Sequence, residues 1–163
     1  MKITSEAFRH GGPVPRRHTG DGEDVSPPLA WENVPTGTKE LALVCDDPDA
    51  PTPHPWVHWI LYKVPADVSR LPEGLPRQAV LVRPIAAVQG CNSWPKGATV
   101  GYRGPAPPPG HGAHHYRFRL YALDAPLAAP AGLDKASLLA LIKGHILAEA
   151  ELVGTYQPSS MRP

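Results

Sequence analysis

The sequence predicts a mainly β, β-sandwich-like domain with helical decoration near its C-terminus. Three observations predict it. Short runs rich in β-branched and aromatic residues recur along the chain. The 22 prolines are spread between those runs instead of being gathered in a tail. At well above the average of ~5%, they read as punctuation in a loop-rich β protein and not as a disordered linker. One segment only, near the end, repeats its apolar residues at helical spacing. At 163 residues the chain is read as a single domain, 1–163, long enough to bury a core.

Residues 2–40 are turn-rich and are expected to hold short strands. Glu40 to Cys45 is a continuous apolar run, consistent with a buried strand. The DDPDAPTPHP stretch that follows has prolines at 48, 51, 53 and 55, which forbid regular structure. Trp56 to Val64 (WVHWILYKV) reads as a strand. Strict alternation puts Trp56, His58, Ile60, Tyr62 and Val64 on one face, with Val57, Trp59, Leu61 and Lys63 on the other. Neither face is polar, so the strand is expected to be central and covered on both sides. AVLVRPIAAVQG predicts one or two short strands interrupted by Pro84. From His114 to Leu123, His114, Tyr116, Phe118, Leu120 and Ala122 share one face; His115, Arg117, Arg119 and Tyr121 share the other. Asp134 is a good N-cap, with Leu133 and Leu138 placed to form a hydrophobic staple. Leu138, Leu141, Ile142, His145 and Ile146 then carry the helical spacing, and Gly144 weakens that helix by ~1 kcal/mol relative to Ala. LVGTYQP is a candidate last strand.

Composition excludes several function classes. Net charge is +1 with acids and bases interspersed, which disfavours nucleic acid or an anionic membrane as the main partner. No segment approaches the ~18–20 apolar residues of a membrane helix. MKITSEAF carries no apolar stretch of the signal-peptide kind, so a cytoplasmic, soluble domain is expected. Cys45 and Cys91 lie far apart and outside any CxxC pattern; Cys45 reads as a buried small hydrophobe.

Polar groups fall at strand ends in three places. These are Asp46, Asp47 and Asp49; His54 and His58; and His111, His114 and His115 with Tyr116. Each has a plain structural reading. An Asp before Pro is a turn-former, and His58 on an apolar strand is a hydrogen-bonded core residue. His111 and His115 are solvated, and His145 is partly buried. A zinc or non-haem iron site would use the same residue types, but there is no HExxH. His54 and His58 are about 13 Å apart on an extended chain, too far to share an ion. Neither a GxSxG elbow nor a phosphate-cradling GxxxxGK[ST] loop occurs. What remains is a small polar pocket with imidazoles and a Gly-rich loop, suited to a bound anion.

DDPDAP at 46–51, HWILY at 58–62 and GYRGPAPPPGHGAHHYRFRLYAL at 101–123 resemble the phosphatidylethanolamine-binding protein family, in its bacterial Raf-kinase-inhibitor-like branch. GDGEDVSPPLAWENVPTGTKELALVCDDPDAP and GHILAEAELVGTY extend the likeness over nearly the whole chain. The resemblance implies two antiparallel sheets, a helix near the C-terminus, and a surface cavity lined by Asp47, Ala50, Pro51, Trp56, His58, Gly104, Pro105, Ala106, Pro108, His114 and Tyr116. It also makes Ala50–Pro51 a candidate cis bond. Non-enzymatic binding of phosphate or a phospholipid headgroup follows as the expected function, with no cofactor and no metal. The alternative is a kinase or serine-protease inhibitor acting through surface loops, and a metal-dependent hydrolase is a third. The natural ligand, a kinase or protease partner, and the oligomeric state, a homodimer included, stay open. The chain departs from the family where His115 replaces a customary Arg and Ala106 a frequent Cys. Position 115 faces away from the pocket, so the loss is a rim charge, not a wall.

Overall fold

A computed structural model describes residues 1–158. The first sheet has three antiparallel strands, β1 (Lys2–Thr4), β2 (Leu29–Glu32) and β5 (Arg70–Leu71), in the order β1-β2-β5. The second has six: β3 (Glu40–Asp47), β4 (Trp56–Pro65), β6 (Val80–Leu81), β7 (Ala87–Gln89), β8 (His114–Leu123) and β9 (Ile146–Tyr156), in the order β6-β7-β4-β3-β8-β9. One helix, α1 (Lys135–Ile142), precedes β9.

The large sheet is buried on both faces, which explains the near-continuous apolar character of β3 and β4. Ile3, Leu29, Trp31 and Leu71 of the small sheet pack with Leu43, Trp59, Leu61 and Phe118 in the inter-sheet core. Leu138 and Ile142 of α1, with Leu127, cover the other face through Val44, Ile60, Tyr62 and Tyr121. The expected alternation of β8 holds, with Tyr116, Phe118, Leu120 and Ala122 all in the inter-sheet core.

In β4 the simple alternation fails at both ends, because the strand carries two bulges. Cys45 pairs with Trp59 and Asp46 with Val57, which makes His58 an extra residue. Leu43 pairs with Leu61 but Leu41 with Val64; the extra residue there accompanies Lys63 at φ +55°. Val57 therefore joins Ile60 and Tyr62 under α1, and Val64 moves to the inter-sheet core. His58 is freed to meet Tyr116 edge-on instead of following Ile60.

Asp134 caps α1, its carboxylate accepting from the Ser137 N–H at 2.8 Å. The helix is shorter than the spacing suggested. It ends at Ile142, and Gly144 at φ +85° lies just past the end, where a left-handed residue stops a helix. His145 and Ile146 belong to the turn and to β9, Leu141 is exposed, and His145 is an exposed partner of Asp124 at 2.8 Å. The cis peptide bond is Arg83–Pro84, not Ala50–Pro51. The turn after β3 closes with a trans bond because the Thr52 N–H reaches back to the Ala50 carbonyl at 2.8 Å. This is a tight turn around Pro51 that proline's own φ supports. Cys45 is fully buried and Cys91 half-exposed, both as free thiols.

Candidate ligand pocket at the end of the large sheet

Antiparallel register assembles the pocket. Asp47 lies opposite Trp56, and Asp46 opposite Arg117, so β3 ends where β4 and β8 begin. The polar residues flanking these strands meet at one end of the sheet, around a cavity of about 190 Å³. Drug-sized ligands take ~300–1,000 Å³, so the space fits a small group.

Asp47, Ala50, Pro51, Trp56, His58, Ala106, Pro108, His114 and Tyr116 all line it. Gly104 and Pro105 stand behind the wall. The Gly104 N–H donates to Asp24 Oδ1 at 2.7 Å, and the Pro105 carbonyl accepts from the Gly20 N–H at 2.8 Å. They fasten the 104–108 loop to the segment after the 3-10 turn at Arg16–His18. Three further lining residues, Thr52, Trp94 and Pro107, were not anticipated. Trp94 sits in a loop with no periodicity to read. It meets Trp56 edge-on at 5.4 Å and His58 at 5.1 Å, and the Arg103 guanidinium lies 4.5 Å over its ring.

Hydrogen bonds decide what each polar group offers. His114 Nδ1 lies 2.6 Å from Asp47 Oδ2, and His58 Nδ1 lies 2.6 Å from the Arg103 carbonyl. A carboxylate and a carbonyl only accept, so Nδ1 carries the proton in both rings and Nε2 is left for the cavity. Asp47 Oδ1 accepts the Asp49 N–H at 2.8 Å, so both carboxylate oxygens have donors and the group orients His114. The Tyr116 hydroxyl is buried and, among the described residues, is the one such side-chain atom without a hydrogen-bond partner. Burial, reinforced by the Asp47 charge, pushes its phenol well above the usual tyrosine value, so it stays a donor. His115 points outward and pairs with Asp49 at 2.7 Å at the rim. The loop wall is less polar than its glycines suggest: prolines at 105, 107, 108 and 109 remove four N–H groups from the 105–109 segment. No group of three or more His, Cys, Asp or Glu suited to a metal occurs among the described residues.

Burial lowers His58 to about 4 from 6.5, with the Arg103 carbonyl opposing the shift. The unfolded chain therefore binds more protons between those values, so stability rises with pH across the window and is complete above about 6.5. Wild-type stability should fall by about 3 kcal/mol between pH 6.5 and pH 4. Urea melts at stepped pH on wild type and His58→Gln check this, and equal slopes for the two proteins would place the acid sensitivity elsewhere.

The family model of the phosphatidylethanolamine-binding proteins matches residues 4–157. A UPF0098 protein of Methanothermobacter thermautotrophicus is 46% identical over 157 residues, covering 96% of this chain and 99% of the relative. One from Chlamydia muridarum is 41% identical over 161 residues, with 96% and 99% covered. Among solved structures, a phosphatidylethanolamine-binding protein homologue from Chlamydia trachomatis superposes with a TM-score of 0.85 at 40% identity, over 97% of each chain. Escherichia coli YbcL, described as a member of the mammalian PEBP family, gives 0.86 at 32%, over 97% of this chain and 98% of its own. The match along the chain and the two-sheet architecture agree, and the protein belongs to the phosphatidylethanolamine-binding protein family.

Proposed function

We propose that the chain is a non-catalytic binding protein whose strand-end pocket takes a small phosphorylated ligand, as free phosphate or a phosphate-bearing headgroup. The observation that carries this reading is the buried, unpartnered Tyr116 hydroxyl, a donor at the cavity beside the His114 imidazole. An anion oxygen satisfies that hydroxyl, and the His114 Nε2 faces the same space. Asp47 holds the ring for it. Among the described residues no Ser or Cys lines the cavity, and the Thr52 hydroxyl already donates to the His54 carbonyl at 2.6 Å, so none of them stands ready as a nucleophile.

Calorimetric titration with inorganic phosphate and phosphoethanolamine at pH 5.5 and pH 8 tests the reading. Binding should strengthen at pH 5.5 in wild type, weaken in Tyr116→Phe and disappear in His114→Ala. Silence from wild type at both pH values would overturn it. A kinase- or protease-inhibitor role rests on the exposed tip at 108–111 beside the cavity. His114→Ala separates the two roles, because inhibition through the tip would survive the loss of ligand.

A further inference from the structure

The donors and acceptors facing the cavity are unbalanced for a simple anion site. Among the described residues, no Lys or Arg lines it. Arg103 is close, but its guanidinium lies over the Trp94 ring and donates to the Lys96 carbonyl at 3.0 Å. One carboxylate, Asp47, is buried in the wall. His58 has its only N–H committed to the Arg103 carbonyl, so Nε2 presents a lone pair. A fully ionised oxyanion would set oxygen against that lone pair, next to a buried negative charge. An oxyanion carrying a proton would instead donate O–H to Nε2, while another of its oxygens accepts from the Tyr116 hydroxyl.

Resting on the phosphate reading above, we infer that this pocket selects phosphate groups bearing a proton. Its ligands are then free phosphate and phosphomonoesters, against sulfate and against phosphodiesters such as an intact phospholipid headgroup. His58 is a specificity-determining residue, and His114, oriented by Asp47, presents a second bare Nε2. A phosphomonoester loses its second proton near pH ~6 and keeps a useful protonated fraction at neutral pH. A diester has no proton to give there, and neither has sulfate. Sites built around a buried hydrogen-bonding group reject analogues lacking the matching partner by large factors, because that group is left unpaired.

The groups bearing on His58 are few. Tyr116 of β8 and Trp94 meet its ring edge-on at 5.1 Å, Arg103 and Gly104 offer carbonyls, and Asp46 and Asp47 of β3 act by charge. At the cavity edge stand the His111 ring, 5.8 Å from that of His114, and the Asp49–His115 pair. None of them supplies His58 with a second proton donor. Its low proton affinity keeps the lone pair available through the neutral range.

The test is calorimetry at pH 7 with four probes: inorganic phosphate, sulfate, phosphoethanolamine and glycerophosphoethanolamine. Phosphate should bind at least ~100-fold more tightly than sulfate, and the monoester more tightly than the diester by a similar factor. In His58→Phe, which removes one of the two bare Nε2 acceptors, the gap should shrink by at least ~10-fold. Should that variant fail to fold, nitrogen NMR of wild-type His58 reads the same feature. It should show a protonated Nδ1 and a bare Nε2 in the free protein, with the Nε2 signal moving when phosphate is added. Wild-type phosphate and sulfate affinities within ~3-fold, or an Nε2-protonated tautomer, would overturn the selectivity while leaving an anion pocket standing. No binding by any of the four probes would overturn the pocket's phosphate role along with it.

Discussion

Gly104→Ala is expected to cost about 2–3 kcal/mol of stability and to abolish phosphate binding. A Cβ at this position would lie 2.1 Å from the His18 carbonyl oxygen, 2.8 Å from the Tyr102 hydroxyl and 2.9 Å from Asp24 Oδ1. The first is backbone, and the other two are held in place. The Tyr102 hydroxyl donates to that same His18 carbonyl at 2.5 Å, and Asp24 is tied to Arg77 at 3.1 Å. Relief requires the loop and the segment behind it to separate. The loop then carries Ala106, Pro107 and Pro108 away from the cavity they line. Gly144→Ala is the matched control. Its φ of +85° makes alanine unfavourable by about 1 kcal/mol, but nothing lies within 4 Å of the added carbon and the pocket is untouched. Thermal melts and phosphate titrations on both variants check the pair. Retention of binding in Gly104→Ala would show that the wall does not depend on this close approach.

Asp46→Ala is expected to destabilise the fold by about 3 kcal/mol. Asp46 is buried and receives Arg117 through Nε at 2.8 Å and Nη2 at 3.1 Å, and Lys135 Nζ at 2.6 Å. One carboxylate thereby joins β3, β8 and the first residue of α1. Removing it leaves two cations, each mostly buried, facing one another without a counter-ion. Lys135→Met should cost less, because the two-pronged Arg117 contact survives. Desolvation raises the Asp46 carboxyl, but the bonds from Arg117 and Lys135 outweigh it and hold the group below its ordinary value. Its contribution is therefore complete above the ordinary carboxylate range near ~3.9 and is lost as pH falls through the lower folded value. That window lies below the one assigned to His58, so stability should decline over two successive ranges as the pH falls. Urea denaturation at pH 7 and below pH 4 distinguishes them, and an Asp46→Ala protein as stable as wild type at pH 7 would remove the ion cluster from the account.

Much of this architecture is legible along the chain because the signals involved are local. The alternation from His114 to Leu123 needs only the two-residue period of a strand, and it placed His114 and Tyr116 on one face correctly. Asp134 announces the start of α1 by a bond three residues long. The prolines at 105, 107, 108 and 109 already state that the loop has few amides to offer, although its glycines suggested otherwise. Spacing alone overstates the length of α1, because Ile142 and Ile146 keep a helical interval by coincidence across the turn at Gly144, where the helix has already ended.

Chemistry in the pocket was harder to read, and for one reason: it depends on contacts distant in sequence. His58 turns towards Tyr116 only because β3 pairs with β4 through a bulge, and strand register is a property of two strands. Its protonated nitrogen is chosen by a carbonyl 45 residues away, and that of His114 by a carboxylate 67 residues away. Trp94 reaches the cavity from a loop whose path no periodicity encodes. The sequence by itself determined the strands, the capped helix and the family. Only the tertiary structure decided which nitrogen faces the cavity and which hydroxyl is left unpaired, because hydrogen-bond partners are assigned by packing.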